Sequence, residues 1–201
     1  MKKKLLALLF TTILFNLFGV QDDFYEKLVV ETMSLTKDRV IYDPTYFRID
    51  YPNGDVPADR GVCTDVIIRA YRKMGIDLQK EVHEDMQANF NKYPKNWGLS
   101  RPDTNIDHRR VPNLMVYFER FGESKEITNN PDNYLPGDIV CWDLGGGINH
   151  IGIVVNNRSR DKKRPMIVHN IGRGQVEEDI LFSFKIIGHY RYDNAKFREA
   201  H

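Results

Sequence analysis

Residues 150–155 read His150-Ile151-Gly152-Ile153-Val154-Val155, a run of mostly β-branched residues that begins with a histidine. A short apolar run between glycine-rich and asparagine-rich segments predicts a buried β-strand. Similar runs lie on both sides of it, at Ile139–Trp142, Met166–Val168 and Ile186–Tyr192. Because turn residues separate these runs, we expect an antiparallel sheet built from hairpins in the C-terminal third of the chain.

The residues before this predicted sheet have the spacing of helices. Apolar residues recur every three or four positions in Val62–Met74, Leu78–Phe90 and Pro112–Phe121. Two turn-rich loops, Tyr42–Gly61 and Tyr93–Val111, join the helical segments. Helices that precede strands predict an α+β domain, with N-terminal helices packed on one face of a C-terminal antiparallel sheet.

The composition is that of one globular domain. The chain has 201 residues, of which 41% are hydrophobic and 28% charged, and it is long enough to bury a sizeable core. Its formal net charge is only +1, so nucleic acid is not an expected partner, because such binding depends on cationic charge. We predict a single domain over residues 21–201.

Residues 1–20 differ from the rest of the chain. Lys2, Lys3 and Lys4 precede an apolar run from Leu5 to Val20, which is the layout of a secretory signal. An uncleaved membrane anchor is the alternative, although a membrane span needs ~20 apolar residues. We therefore expect an exported protein, periplasmic or associated with the cell envelope, with no stable membrane domain beyond this segment.

Cys63 stands at the start of the helix predicted over Val62–Met74. A helix N-terminus carries free N–H groups and about half a positive charge, which stabilise a thiolate. That position can lower a cysteine pKa from ~8.5 to about 3.5–7.5, and the same N–H groups can stabilise an oxyanion. Cys63 is therefore a candidate nucleophile, although a small buried apolar residue fits this position equally well.

Two histidines occupy matching places on successive predicted strands. His150 begins one strand, and His169 ends the next in Ile167-Val168-His169. A hairpin between the strands would bring the two rings together, as a general base and the residue that orients it. For His150 alone, a structural histidine is the simpler interpretation.

The order of these motifs resembles that of the NlpC-type cell-wall cysteine peptidases. A cysteine at a helix start is followed by Pro136-Gly137-Asp138 before a strand, by His150-Ile151-Gly152-Ile153-Val154, and by a polar residue one strand later. The resemblance implies a permuted papain-like fold with Cys63 as nucleophile, His150 as base and His169 as orienting residue. It also implies an amidase or peptidase that needs no cofactor or metal and takes a peptide or peptidoglycan fragment as substrate.

The residues around the nucleophile depart from the NlpC pattern, in which Asp precedes the cysteine and Ser-Gly follows it. Here Val62 precedes Cys63, and Thr64-Asp65 follows. The chain also resembles, over most of its length after residue 20, a family of exported bacterial proteins of unassigned function. The matching segments are Tyr42-Asp43-Pro44, residues 54–65, residues 105–113, residues 136–140, residues 150–154 and residues 168–172.

The chain has two cysteines, Cys63 and Cys141, and in an exported protein the first expectation for such a pair is a disulfide. A bridge requires Cα atoms ~4.4–6.8 Å apart and would remove the nucleophile. It would also leave the helix start and the two strand histidines without an explanation. We therefore favour catalysis, with Cys141 a buried free thiol.

Four further residues are candidates for substrate binding: Asp65, Asp107, His108 and Arg109. An arginine in a cleft can hold a carboxylate through paired donors. The alternatives are ion pairs that fix the long loops, and helix capping in the case of Asp65.

Two other functions compete with the cysteine hydrolase. His150, His169 and a carboxylate such as Asp65 or Asp107 could bind zinc, although no compact ligand motif is present. Alternatively, the same fold could be a non-catalytic module that binds a cell-wall peptide.

Overall fold

The computed structural model describes residues 23–200, so the predicted signal or anchor over residues 1–20 lies outside the described part. The helices are α1 (residues 23–34), α2 (Cys63–Lys73), α3 (Leu78–Asn89), α4 (Val111–Phe121) and α5 (Ala195–Ala200). The strands are β1 (Ile41–Tyr42), β2 (Arg60–Gly61), β3 (Glu123–Ser124), β4 (Ile139–Asp143), β5 (Asn149–Arg158), β6 (Pro165–His169), β7 (Val176–Glu178) and β8 (Lys185–Arg191). Between residues 23 and 200, no helix has the length and apolar character of a membrane span.

Six strands form one antiparallel sheet in the order β3-β8-β4-β5-β6-β7. The strand β8 comes last along the chain but lies between β3 and β4. The short strands β1 and β2 pair in parallel outside this sheet. Helices followed by an antiparallel sheet confirm the predicted α+β class.

The two faces of the sheet are covered differently, because strand side chains alternate between faces. On one face, buried residues of β4 and β5 pack against α2 and α4; they include Ile139, Cys141, Ile151, Ile153 and Val155. On the other face, loop residues cover a smaller cluster that includes Tyr134, Val140, Trp142, Val154, Ile167 and Leu181. The helices therefore lie on a single face of the sheet, as the sequence predicted.

Helix α2 is the most enclosed helix of the domain. Every residue from Cys63 to Tyr71 is buried, because the helix lies between the sheet and its neighbouring helices. At its start, the Asp65 carboxylate accepts the N–H of Val62 at 2.6 Å, which caps the first turn. This capped and buried start holds Cys63 in place.

The turn Pro136-Gly137-Asp138 anchors β4 to β8. Gly137 has a φ of +89°, and a Cβ there would lie 2.7 Å from the ring of Tyr25. The buried Asp138 carboxylate accepts from His189 Nε2 at 2.7 Å and from Arg191 Nη1 at 2.5 Å. These contacts fix the sheet near the start of β4.

Most predicted elements agree with the observed ones to within a few residues, but the short polar strands were not predicted. Strands β3 and β7 have two and three residues and no apolar alternation. Strand β5 is also longer than predicted, since the exposed residues Asn156–Arg158 continue it beyond the apolar run.

Candidate active site

Cys63 is the first residue of α2 and is 6% exposed. The backbone N–H groups of Ile151, Thr64 and Cys63 lie close enough to its sulfur to lower the pKa of the thiol. These three donors surround the sulfur with partial positive charge at the helix start. They are placed to stabilise negative charge on sulfur or on a neighbouring oxygen.

The pKa of the Cys63 thiol is nevertheless raised to about 12, chiefly by burial and to a smaller extent by the Asp65 carboxylate, against the effect of the three N–H groups. The sequence predicted the opposite direction, because a helix N-terminus taken alone lowers a thiol pKa. Removal of the sulfur from water is the larger effect. Cys63 is therefore a neutral thiol in the resting protein.

The two cysteines are both free and buried. Cys141 lies in the same helix-facing core as Cys63, and burial raises its pKa well above the ordinary value. The alternative of a disulfide between Cys63 and Cys141 is therefore not realised.

His150, His169 and Glu178 form a hydrogen-bonded series, here named the histidine relay. Nε2 of His150 lies 3.0 Å from Nδ1 of His169, and Nε2 of His169 lies 3.0 Å from Oε2 of Glu178. The other oxygen of Glu178 accepts from Arg173 Nη1 at 2.7 Å. The predicted proximity of the two histidines is thus observed, and Glu178 is a member that the sequence did not reveal.

The histidine relay determines which nitrogen of each ring carries the proton. An ionised Glu178 can only accept, so His169 donates from Nε2 and is left with a lone pair on Nδ1. His150 must then donate from Nε2, which leaves the lone pair on its Nδ1. That nitrogen has no hydrogen-bond partner among residues 23–200. The arrangement presents Nδ1 of His150 as a base.

Burial also keeps both rings neutral. The pKa of His150 is lowered to about 3, chiefly by burial and to a smaller extent by the neighbouring His169. Burial lowers the pKa of His169 as well, while the Glu178 carboxylate acts in the opposite direction. A neutral imidazole has a lone pair that can accept a proton, but the lowered pKa also makes it a weaker base than a solvated histidine.

His150 and Cys63 are neighbours through the start of β5. The Ile151 N–H that reaches the sulfur is bonded to the carbonyl carbon of His150, so the backbone of His150 adjoins the thiol. The His150 ring itself packs on the Trp142 ring, with 5.7 Å between centroids. Within the described part of the chain, no hydrogen bond links the ring to the sulfur.

Cys63 opens onto a cleft of about 350 Å³. The cleft lies between the start of α2, the start of α4, the two long loops and the turn before β5. Its walls are Tyr42, Pro44, Val62, Cys63, Asn96, Trp97, Ile106, Arg109, Arg110, Val111, Pro112, Gly147 and Asn149. His150 is not among the walls, although its neighbour Asn149 is.

Arg109 and Asp65 form a buried ion pair beside the cleft. Nε and Nη2 of Arg109 donate to the two oxygens of Asp65 at 2.9 and 3.0 Å, and both side chains are 2% exposed. Nη1 donates to the carbonyl of Thr45 at 3.2 Å. These contacts tie the loop that contains Thr45 to helix α2, so both charged groups already have partners. Substrate binding by Asp65 or Arg109 remains a prediction.

Asp107 and His108 are buried and do not line the cleft. The Asp107 carboxylate accepts from the N–H of Asp103 and from Arg110 Nη1, and burial raises its pKa to about 6. Burial lowers the pKa of His108 to about 3, and its Nδ1 has no hydrogen-bond partner. The Asp107 contacts hold the second loop in place, and the proposed role of both residues in substrate binding remains a prediction.

No set of three or more His, Cys, Asp or Glu side chains between residues 23 and 200 is arranged to hold a metal ion. His150 and His169 are instead bonded to each other. The zinc hydrolase hypothesis therefore has no ligand set in this part of the chain.

Comparison with known proteins identifies a family but no activity. Residues 29–192 match the model of a domain of unknown function, DUF1287. The chain is also 54% identical over 153 residues to the uncharacterized protein YijF of Escherichia coli (strain K12). That match covers 76% of this chain and 74% of the relative.

Proposed function

We propose that this chain, which belongs to the DUF1287 family, is a cysteine hydrolase that cleaves amide bonds. Its nucleophile is Cys63, its base is His150, and His169 and Glu178 orient that base. The observation that carries the proposal is the histidine relay, which leaves Nδ1 of His150 unprotonated. His150 directly precedes Ile151, and the backbone N–H of Ile151 lies close to the Cys63 sulfur. The family is described as a domain of unknown function and the relative as uncharacterized, so the proposal depends on these residues.

The first step joins Cys63 to the substrate. His150 Nδ1 takes the thiol proton as the sulfur attacks the carbonyl carbon, and the carbonyl π electrons move to oxygen. The N–H groups at the start of α2 stabilise that oxyanion. Because the pKa of Cys63 is raised to about 12, the proton moves during the attack rather than before substrate binds.

The second step releases the two products. As the oxyanion collapses, the C–N bond breaks, and the proton on His150 passes to the leaving amine. A water molecule then attacks the thioester while His150 takes its proton, and the C–S bond breaks to give a carboxylic acid and the regenerated thiol. Glu178 holds the same tautomer through both steps.

We extend the proposal to the fold and the location. Two features support a permuted papain-like, NlpC-type fold: Cys63 lies at the start of a buried helix, and that helix packs on an antiparallel sheet that has His150 near the start of β5. The signal-like composition of residues 1–20 supports export to the periplasm or cell envelope. In that compartment a cell-wall peptide is the substrate that fits an amide hydrolase.

One observation favours a second candidate, a peptide-binding module without catalysis. Burial keeps Cys63 protonated, and the His150 ring packs on Trp142 without a hydrogen bond to the sulfur. In that case the cleft would bind a cell-wall peptide and release it unchanged.

The test compares wild type with Cys63→Ala on purified peptidoglycan and on its soluble peptides, with fragments identified by mass spectrometry. The other free cysteine supplies the matched control, Cys141→Ala. We expect wild type and Cys141→Ala to release the same fragments, and Cys63→Ala to be slower by roughly a thousandfold or more. Cleavage that persists in Cys63→Ala would refute the nucleophile, and binding without cleavage by wild type would establish the binding module.

A further inference from the structure

The cleft beside Cys63 has a positive character. Arg109 and Arg110 are among its walls, and no Asp or Glu is. The N-termini of two helices also line the cleft: Val62 and Cys63 at the start of α2, and Val111 and Pro112 at the start of α4. The Asp65 carboxylate offsets the charge of Arg109 and of the α2 N-terminus. The positive charge of the cleft therefore comes from Arg110, which Asp107 contacts only through Nη1, and from the N-terminus of α4. A ligand with negative charge fits such a cleft.

The two arginines differ in what their donors do. All three guanidinium nitrogens of Arg109 are bonded to Asp65 and to loop carbonyls. Arg110 makes one hydrogen bond, from Nη1 to Asp107 at 3.3 Å, while its Nε and Nη2 have no partner among residues 23–200. Nε and Nη2 form one edge of the planar group, and that edge matches the two oxygens of a carboxylate.

Arg110 is held in a fixed orientation. Its guanidinium lies 4.0 Å from the centroid of the Trp97 ring, a cation–π contact on a residue that also lines the cleft. Its side chain is 15% exposed, so a bound carboxylate would displace little water. An oriented and largely desolvated arginine binds a carboxylate more strongly than an exposed one does.

The carboxylates near Arg110 do not occupy its free edge. Asp107 contacts only Nη1, and it is not among the residues that line the cleft. Asp103 is also close enough to affect the pKa of Arg110, but its oxygens accept from Tyr46 and Asn105. The Nε–Nη2 edge therefore remains available to a ligand.

We propose that this cleft selects peptides with a free carboxylate near the scissile amide, and that the Nε–Nη2 edge of Arg110 binds that carboxylate. The inference rests on the proposed hydrolase function and names its substrate class, an acidic peptide. Replacement of the carboxylate by a carboxamide removes the charge and places an NH₂ donor against an arginine donor. Charge-assisted paired hydrogen bonds of this kind correspond to roughly 10- to 100-fold in affinity.

The test measures binding by calorimetry, with Cys63→Ala as the parent protein so that no peptide is cleaved. The probes are synthetic peptidoglycan stem peptides in which each free carboxylate is converted in turn to a carboxamide. We expect one conversion to weaken binding at least tenfold in the parent and less than threefold after Arg110→Gln is added. Arg110→Lys, which keeps the charge without the paired edge, should retain part of the preference.

The exposed Arg160 supplies the matched control, and Arg160→Gln should leave both affinities unchanged. Equal binding of acid and amide peptides, binding of neither, or an equal loss for both in Arg110→Gln would overturn the inference. Thermal unfolding of each variant separates a binding effect from misfolding. If Arg110→Gln does not fold, the test is whether Arg110→Lys reduces the preference for the acid peptide over the amide peptide. A parent that prefers the acid peptide, combined with a wild type that cleaves nothing, would refute the hydrolase while leaving this inference intact.

Discussion

Nε2 of His169 lies 3.0 Å from Oε2 of Glu178, and this contact joins a half-buried carboxylate to a fully buried imidazole. The carboxylate is on the edge strand β7, whereas His150, at the other end of the histidine relay, is the second residue of β5, one of the two central strands. A charge at the sheet edge thereby sets the tautomer of a base two strands away.

The first prediction concerns Glu178→Gln. Its amide nitrogen can donate to His169 Nε2 and favour the tautomer that leaves His150 Nδ1 protonated, so kcat should fall by roughly 10- to 100-fold with KM little changed. Steady-state kinetics on the cleaved peptide measures both constants. The neighbouring Glu177→Gln makes the same chemical change on a residue outside the relay and should keep wild-type kcat. An equal loss in both variants would argue against a specific role for Glu178.

The second prediction concerns the reactivity of Cys63. Because burial raises the pKa of its thiol to about 12, the thiolate fraction at neutral pH is about a thousandfold below that of a free cysteine. Iodoacetamide should therefore label folded Cys141→Ala protein far more slowly than the same protein in denaturant, as mass spectrometry can follow. Rapid labelling of the folded protein would mean that the helix N-terminus outweighs burial.

The third prediction concerns the buried ion pair between Asp65 and Arg109, whose side chains are each 2% exposed. Asp65→Asn leaves the guanidinium buried without a counter-charge, and the free energy of unfolding should fall by about 3–5 kcal/mol. The exposed pair of Asp132 and Arg158 supplies the control, since Asp132→Asn should change stability by less than about 1 kcal/mol. Urea denaturation measures both variants, and similar values for the two would contradict the prediction.

The fourth prediction concerns the pH dependence of stability. Burial lowers the pKa of His108 to about 3 in the folded protein, against an ordinary value of 6.5. As pH falls through 6.5, the unfolded chain binds a proton that the folded protein does not. The contribution of His108 is therefore complete above pH 6.5 and decreases toward pH 3, by up to ~1.4 kcal/mol per pH unit.

The comparison of wild type with His108→Gln isolates this contribution from carboxylates that titrate in the same range. Urea denaturation at intervals from pH 7 to pH 4 should give a shallower loss of stability in the variant. His150→Gln should behave in the same way, because the pKa of His150 is also lowered to about 3. Parallel curves for wild type and both variants would show that these histidines are protonated in the folded state.

The sequence revealed the parts of the site that depend on local pattern. The apolar spacing of Val62–Met74 predicted α2 with Cys63 at its start, and the apolar runs predicted the strands that bring His150 and His169 together. Glu178 could not be predicted, because β7 has three residues, and its pairing with β6 is a tertiary contact.

Two electrostatic features of the site also could not be predicted from the sequence. The pKa of Cys63 depends on how completely distant segments cover the sulfur, whereas the helix position visible in the sequence gave only the weaker, opposing effect. Arg109 and Arg110 are adjacent and chemically identical, and only the folded loop shows that Asp65 engages one and leaves an edge of the other free.

The position of β8 in the sheet affects the order in which the protein folds during synthesis. Strand β8 pairs with both β3 and β4, so these two strands gain their common neighbour only when residues 185–191 are available. During synthesis, β4, β5 and β6 can form hairpins early, but β3 and β4 stay unjoined until residues 185–191 have left the ribosome. Assembly of the fold thus waits for its late segment, and a stalled or shortened chain should present an unpaired β4 edge to proteases and chaperones.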